Sequence, residues 1–295
     1  MENQGSGVNN RSFLSVEDAL KQIIKDISIV STEEVSLISA LDRVTAEDVK
    51  ARRSQPPVAV SSMDGYAVKS EDVTTVPSKL IRVGSVPAGR EYTKKLKSGE
   101  AVRIFTGAPV PKGADTIVIQ EDVLAPSETD GSEITIVKGA KKGVYIRRAG
   151  LDFKNGEIGI PKNKRLTSRD IGLAASMNVP WILVRRRPRI AILATGDEIV
   201  RPGESASKNQ IVSSNSYTLH AFMTALGADV QILGIAPDNT DTIGALAREA
   251  YGSDLLVTTG GASVGEHDLI QKALSTDKFG QQGLNLDFWK IAMRP

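Results

Sequence analysis

The sequence predicts an α/β multidomain protein, with β-rich N-terminal domains followed by an α/β domain built on a mostly parallel sheet. Three observations lead there. From Lys79 to Val184, short β-branched or apolar runs alternate with turns. Arg185-Arg186-Arg187-Pro188 reads as a solvated linker at a domain boundary. After it the order is strand, helix, strand, helix, strand, a pattern that implies right-handed crossovers and a parallel sheet.

The totals narrow the field. A chain of 295 residues has room for two or more domains and a sizeable core. Its 40% apolar and 24% charged residues are those of a soluble globular protein. A net charge of +2 gives no ground for nucleic-acid binding. The absence of cysteine excludes disulfides, thiolate metal sites and a cysteine nucleophile, and suits a reducing cytosol. With only His220 and His267, a zinc site of several histidines is excluded. No apolar run approaches the roughly 20 residues of a membrane span. Met1 to Asn10 is polar and lacks the apolar segment of a signal peptide, so residues 1–12 are expected to be a disordered tail.

The elements follow in order. Ser15-Val16-Glu17-Asp18 has the form of a capping box. Val16, Ala19, Leu20, Ile23, Ile24 and Ile27 follow at helical spacing, which predicts an amphipathic helix packed into a core through those residues. A second short helix is predicted over residues 38–44. Gln55-Pro56-Pro57 interrupts regular structure. Asp64-Gly65 marks a turn into a short strand at 66–68, and local composition alone makes Asp64 a turn former. Strands are predicted at 80–83, 101–105, 116–119 and 134–137. The loop from Thr106 to Asp115 holds two prolines and two glycines, and long shaped loops of this kind often carry function. Arg147 and Arg148, beside Gly150 and Asp152, could hold an anion or be a solvated surface pair. Thr167-Ser168-Arg169-Asp170 caps a helix to about residue 177, and 180–184 is a further strand.

In the C-terminal part, strands are predicted at 189–194, 230–233 and 255–258. Helices are predicted at 215–226, stopped by Gly227, and from Pro237-Asp238-Asn239-Thr240 to 251. Ligands of parallel sheets bind beyond the carboxyl ends of the strands. Three polar turns leave those ends: Thr195-Gly196-Asp197-Glu198, Pro237-Asp238-Asn239, and the stretch from Gly260 to Asp268. Gly260, Gly261 and Gly265 would let backbone N–H groups approach a ligand, and a helix start beyond them favours an anion such as phosphate. Glu198, Asp238, Glu266 and Asp268 would gather around that cradle. Carboxylates beside a phosphate suggest Mg²⁺, a hard cation that takes oxygen ligands.

Four motifs carry a resemblance. They are Met63-Asp64-Gly65-Tyr66-Ala67-Val68, Arg103-Ile104-Phe105-Thr106-Gly107-Ala108-Pro109-Val110-Pro111, Thr195-Gly196-Asp197-Glu198, and Gly260-Gly261-Ala262-Ser263-Val264-Gly265-Glu266-His267-Asp268. In their order and over residues 14–295 they resemble the molybdopterin molybdenumtransferase family, the group of MoeA and the gephyrin E domain. The resemblance implies a cytoplasmic enzyme that inserts molybdate into adenylylated molybdopterin, releasing AMP, with Mg²⁺ or a similar ion assisting. It implies an elongated homodimer, and a molybdopterin adenylyltransferase as a possible partner. Nucleic acid and membrane are not expected partners. It also implies a domain plan: 13–54 with 140–186 as the dimerisation domain, 55–139 as an inserted β-rich domain, and 187–295 as the molybdopterin-binding domain. Carried over by motif, the catalytic residues are Asp64, Thr106, Asp152, Glu198, Asp238 and Asp268, with Glu198, Asp238 and Asp268 as metal ligands. Substrate contacts are Arg147, Thr195, Gly196, Asp197, Ser214, Asn215, Gly260, Gly261, Ser263, Gly265 and Lys290.

Two departures qualify this. Ser213 stands where many relatives have an aspartate. The chain stops at Lys290-Ile291-Ala292-Met293-Arg294-Pro295 where relatives continue, so the sheet is expected to be incomplete and the chain unstable or catalytically weak. Two enzymes that share the α/β domain fit less well. The adenylyltransferase would stand alone and carries Gly-Gly-Thr-Gly in its loop, and CinA-type proteins would lack Met63-Asp64-Gly65-Tyr66-Ala67. A fragment that binds molybdopterin, or a scaffold without turnover, is the alternative of another class.

Overall fold

The structure, a computed structural model, describes residues 14–260, 269–274 and 291. The tail at 1–12 and the site candidates Gly261, Ser263, Gly265, Asp268 and Lys290, with Glu266 and His267, lie outside the described residues. Among the described residues no helix is long and apolar enough to cross a membrane. The chain divides into two compact units, Glu34–Val184 and a discontinuous one made of Met1–Glu33 with Arg185–Pro295.

Helix α1 (Val16–Asp26) starts at the predicted cap, where the Asp18 N–H donates to Ser15 Oγ at 3.1 Å. The expected packing of its apolar stripe is corrected. Ala19 is buried, but Val16, Leu20, Ile23, Ile24 and Ile27 are 44–66% exposed. Helical spacing reports which face is apolar and not what covers it.

The Glu34–Val184 unit opens through β1 (Thr32–Ser36). The helix expected over 38–44 is absent. One 3-10 turn, Leu37–Ser39, is followed by Asp42 at φ +63°. The backbone of this segment bonds a distant one instead: Asp42 N–H to the Leu166 carbonyl at 3.0 Å, and Leu166 N–H to the Arg43 carbonyl at 2.8 Å. Strands β2 (Val49–Lys50), β3 (Val60–Ser61) and β4 (Gly65–Val68) come next. Then come β5 (Ser78–Val86), β6 (Glu100–Ile104), β7 (Thr116–Ile119), β8 (Val123–Leu124) and β9 (Glu133–Ile136). Five of these join β4 in a six-stranded sheet of order β7-β4-β6-β5-β9-β8, in which only β5 and β6 run parallel. Both faces of this sheet are apolar. Tyr66, Val68, Leu80, Val118 and Ile134 pack on one side, and Ala67, Val86, Val102, Ile104 and Ile117 on the other. That two-sided burial explains why the sequence shows continuous apolar runs rather than alternation.

The unit closes with β10 (Ile146–Arg147), β11 (Ile158–Ile160), helix α2 (Ser168–Ser176) and β12 (Trp181–Arg185). Thr167 and Asp170 form the predicted capping box, and Lys164 reaches Asp170 at 2.6 Å. A second core forms here around Val49, Phe153, Ile160, Leu166, Met177 and Ile182.

In the discontinuous unit, β13 (Arg189–Thr195) is the central strand. A small parallel pair follows, β14 (Ile199–Val200) with β15 (Ile211–Val212), which the sequence reading did not contain. Helix α3 (Asn215–Ala225) ends just before Gly227, which sits at φ +100°. Strand β16 (Asp229–Ala236), helix α4 (Thr240–Arg248) and strand β17 (Leu255–Thr259) complete the predicted alternation. The sheet order is β16-β13-β17, parallel throughout. Leu193, Ile243, Ala247 and, from the short helix α5 (Leu269–Ala273), Ile270 form its core. The Arg185 to Pro188 run is not a free linker. Arg186 forks onto both oxygens of Asp254 at 2.5 and 2.6 Å and its Nε donates to Ser31 Oγ at 3.0 Å.

Candidate functional site

The carboxyl ends of the parallel strands β13, β16 and β17 converge as the alternation requires. Gly260, at φ +93°, follows β17 so closely that a Cβ there would lie 2.1 Å from the Thr195 carbonyl oxygen. Only glycine allows that approach. Thr195 is 1% exposed, and among the described residues its hydroxyl has no partner. A buried hydroxyl without a partner is uncommon. Gly196, at φ +136°, would put a Cβ 2.5 Å from a Glu198 carboxylate oxygen. Glu198 is thus folded back over its own turn, and its carbonyl accepts the Ile211 N–H at 2.8 Å. Asp197 Oδ1 accepts the Asp238 N–H at 3.1 Å, which ties the turn after β13 to the turn after β16.

The start of α3 belongs to the same unit. Ser214 precedes the helix without a side-chain cap bond, so the helix N-terminus keeps unpaired N–H groups. Asn215 is exposed at its first position. Ser216 is 2% exposed with an unpartnered hydroxyl. Ser213 is buried, and its N–H donates to the Val200 carbonyl at 2.8 Å.

A second group lies in the Glu34–Val184 unit. Asp64 Oδ1 accepts both the backbone N–H and the hydroxyl of Thr106, each at 2.7 Å. These two bonds, the backbone one foremost, hold the Asp64 carboxyl below the usual carboxylate range. Strand β3 organises the surroundings. On one edge Gly107 N–H donates to the Ser61 carbonyl and Ser61 N–H to the Ala108 carbonyl, both at 2.9 Å. On the other it pairs with β10, Arg147 opposite Val60. Arg147 donates through one nitrogen to both oxygens of Asp152 at 2.8 Å. The structure therefore pairs Asp64 with Thr106 and Arg147 with Asp152.

Several residues that hold this group were not singled out by sequence. Arg103 donates to the Gly65 carbonyl at 3.0 Å and to Gln120 at 2.6 Å, with its guanidinium 4.8 Å from the Phe105 ring centre and 5.3 Å from that of Tyr66. Gly65 has no room for a side chain, since a Cβ would meet the Val118 carbonyl at 2.0 Å. Tyr145, at φ +58°, accepts the N–H and hydroxyl of Ser62 through its carbonyl at 2.9 and 3.0 Å. Arg103 and Gly65 stood inside quoted motifs, whereas nothing local marked Tyr145.

Among the described residues no three histidine, aspartate or glutamate side chains come together as a metal site. Glu198 and Asp238 are exposed carboxylates on the turns after β13 and β16, and their oxygens have the chemistry a hard cation needs.

Comparison with known proteins settles the family. Residues 14–178 match the MoeA N-terminal region (domain I and II), and residues 191–295 match a probable molybdopterin binding domain. The chain belongs to the MoeA family. A molybdopterin molybdenumtransferase of Nostoc sp. is 34% identical over 269 residues, covering 90% of this chain and 60% of the relative. The Haemophilus influenzae molybdopterin molybdenumtransferase is 33% identical, covering 96% and 68%. A crystal structure of a molybdopterin biosynthesis MoeA protein from Pyrococcus horikosii superposes with a TM-score of 0.78 at 33% identity, covering 89% of this chain and 66% of that one. The chain thus spans about two thirds of the length of the MoeA relatives it matches.

Proposed function

We propose that this chain inserts molybdenum during molybdenum cofactor biosynthesis: molybdate enters the dithiolene of adenylylated molybdopterin and AMP leaves. The observation that carries this reading is the set of polar turns at the carboxyl ends of β13, β16 and β17. There Gly260 keeps the backbone close to Thr195, and the carboxylates of Glu198 and Asp238 stand exposed on the neighbouring turns. These turns fall within the segment matched to a molybdopterin binding domain.

The chain's own groups suit the chemistry. Charge builds on phosphate oxygens as the anhydride breaks, and it is stabilised by preorganised donors. Thr195, Gly196 and Gly260 line the pterin-phosphate side, joined by Ser214, Asn215 and, outside the described residues, Gly261, Ser263, Gly265 and Lys290. Asp64, held ionised by Thr106, and the Arg147–Asp152 pair serve the same reaction from the other unit's sequence. Glu198 and Asp238, with Asp268, would hold Mg²⁺, which supplies positive charge against the phosphate oxygens when bound. A cytoplasmic homodimer that receives its substrate from a molybdopterin adenylyltransferase completes the proposal.

The test is turnover with adenylylated molybdopterin and molybdate, following AMP release and molybdenum incorporation. Asp64→Ala and Glu198→Ala should each lower the rate by roughly a hundredfold while circular dichroism stays unchanged. Undiminished turnover in both variants overturns the proposal.

A further inference from the structure

A cleft of about 400 Å³ opens in the Glu34–Val184 unit, with Gly107, the neighbour of Thr106, in its wall. Two arginines are among the residues that line it, Arg147 and Arg90, together with Glu91. Arg90 has no role in the groups described so far. It sits in the segment between β5 and β6, two parallel neighbours, so the chain must cross back along the sheet to connect them.

That crossing is pinned. Tyr92 lies over Gly84, where a Cβ would be 2.7 Å from the ring. Leu96 is 1% exposed, and its N–H donates to the Lys112 carbonyl at 2.8 Å. Tyr92 and Leu96 pack with Ile104, Ala108 and Val110, so the Arg90 segment and the Thr106 loop stand on one core. Arg147, in the same lining, is fixed by β3 and by Asp152. Its charge is balanced by that aspartate, yet one terminal nitrogen makes both bonds, leaving further donors of the fork available. Among the described residues, no carboxylate lies within 4.0 Å of Arg90. Val58 and Pro57 give the cleft an apolar flank.

We infer that Arg90 and Arg147 form a subsite for a tetrahedral oxyanion, the class that includes molybdate and a nucleotide phosphate. A planar fork that presents paired donors matches such an anion, and two forks on rigid walls match it better than a flexible lysine pair. Gly89 and Gly107, both at positive φ with open space at the Cβ position, leave the anion room between the arginines. The inference rests on the reaction proposed above and adds a residue to it.

The experiment is calorimetric titration at pH 7.5 and constant ionic strength, with molybdate in one arm and AMP in the other. The parent chain, Arg90→Ala, Arg90→Lys and Lys95→Ala as a charge control are compared, each checked by circular dichroism. Arg90→Ala should weaken one anion by about tenfold, Arg90→Lys should fall between, and Lys95→Ala should match the parent. Weakening of molybdate identifies the substrate oxyanion as the occupant, and weakening of AMP alone identifies the leaving nucleotide. Equal binding by parent and Arg90→Ala in both arms, or no binding by the parent, overturns the subsite. Loss of turnover in Asp64→Ala with unaltered anion binding in Arg90→Ala defeats the subsite alone. Undiminished turnover in Asp64→Ala with weakened binding in Arg90→Ala defeats the reaction alone.

Discussion

Asp64 is a chemical group only while its carboxylate is aimed, and Thr106 does the aiming with two bonds to one oxygen. Thr106→Val removes the hydroxyl bond and keeps the backbone one. The Asp64 carboxyl, now below its ordinary value of 3.8, should then titrate nearer to it, as carbon-detected NMR would show. The sign follows: a depressed carboxyl favours the fold above pH 3.8, and that contribution fades as pH falls through the folded value. Gly65 and Tyr145 work on the same turn from opposite directions. Gly65→Ala forces a Cβ against the Val118 carbonyl and should lower stability by about 2 kcal/mol in urea unfolding. Tyr145→Asn keeps the left-handed backbone at φ +58° and relieves a bulky side chain from it, so stability should rise by about 0.5 kcal/mol. Local sequence could mark Asp64 only as a turn former, because Thr106 lies 42 positions away. The motif resemblance supplied what local physics could not.

Elements were legible where their own residues decide them. β4, β6, β7 and β13 are runs apolar on both faces, and α2 and α4 carry their caps, Thr167 and Asn239, in sequence. The segment 38–44 was not legible, because its hydrogen bonds go to residues 164–166. Helix α1 was legible as a helix and not as a packed one. Leu20→Gln and Ile24→Gln, both at exposed positions, should change the chain's unfolding free energy by less than about 0.5 kcal/mol. The Arg186–Asp254 fork is an element-to-element tie, since Asp254 also accepts the Arg189 N–H at 2.7 Å. Arg186 foremost lowers the Asp254 carboxyl to about 2. Its stabilisation is present above pH 3.8 and is lost as pH falls toward 2. Because the pair is partly exposed, that share is about 1 kcal/mol. Denaturant midpoints of parent and Asp254→Asn should therefore differ at pH 6 and draw together as pH approaches 3.

At the scale of the molecule, two compact units with separate cores should not unfold as one. Leu193 belongs to the core of the discontinuous unit, and Ile104 to that of the six-stranded sheet. Leu193→Ala and Ile104→Ala each open a buried cavity worth about 2–5 kcal/mol. Each should shift a different transition in hydrogen exchange followed through denaturant, leaving the other in place. A single transition moved equally by both would contradict separate units. Nothing local at Glu33 announces that α1 belongs with residues far downstream.

That detached membership of α1 has a consequence for synthesis. The helix emerges from the ribosome before the intervening segment Glu34–Val184 and then β13, and its own unit cannot be assembled until both have followed. At about 5–20 residues per second the wait is roughly 10–30 s. Over that interval the nascent chain carries an amphipathic helix ahead of the rest of its unit, and the apolar stripe of that helix stays exposed even once the unit is folded. A holdase at the tunnel exit would find its binding surface in Val16, Leu20, Ile23, Ile24 and Ile27, and folding does not withdraw that surface, since those side chains stay exposed in the finished unit.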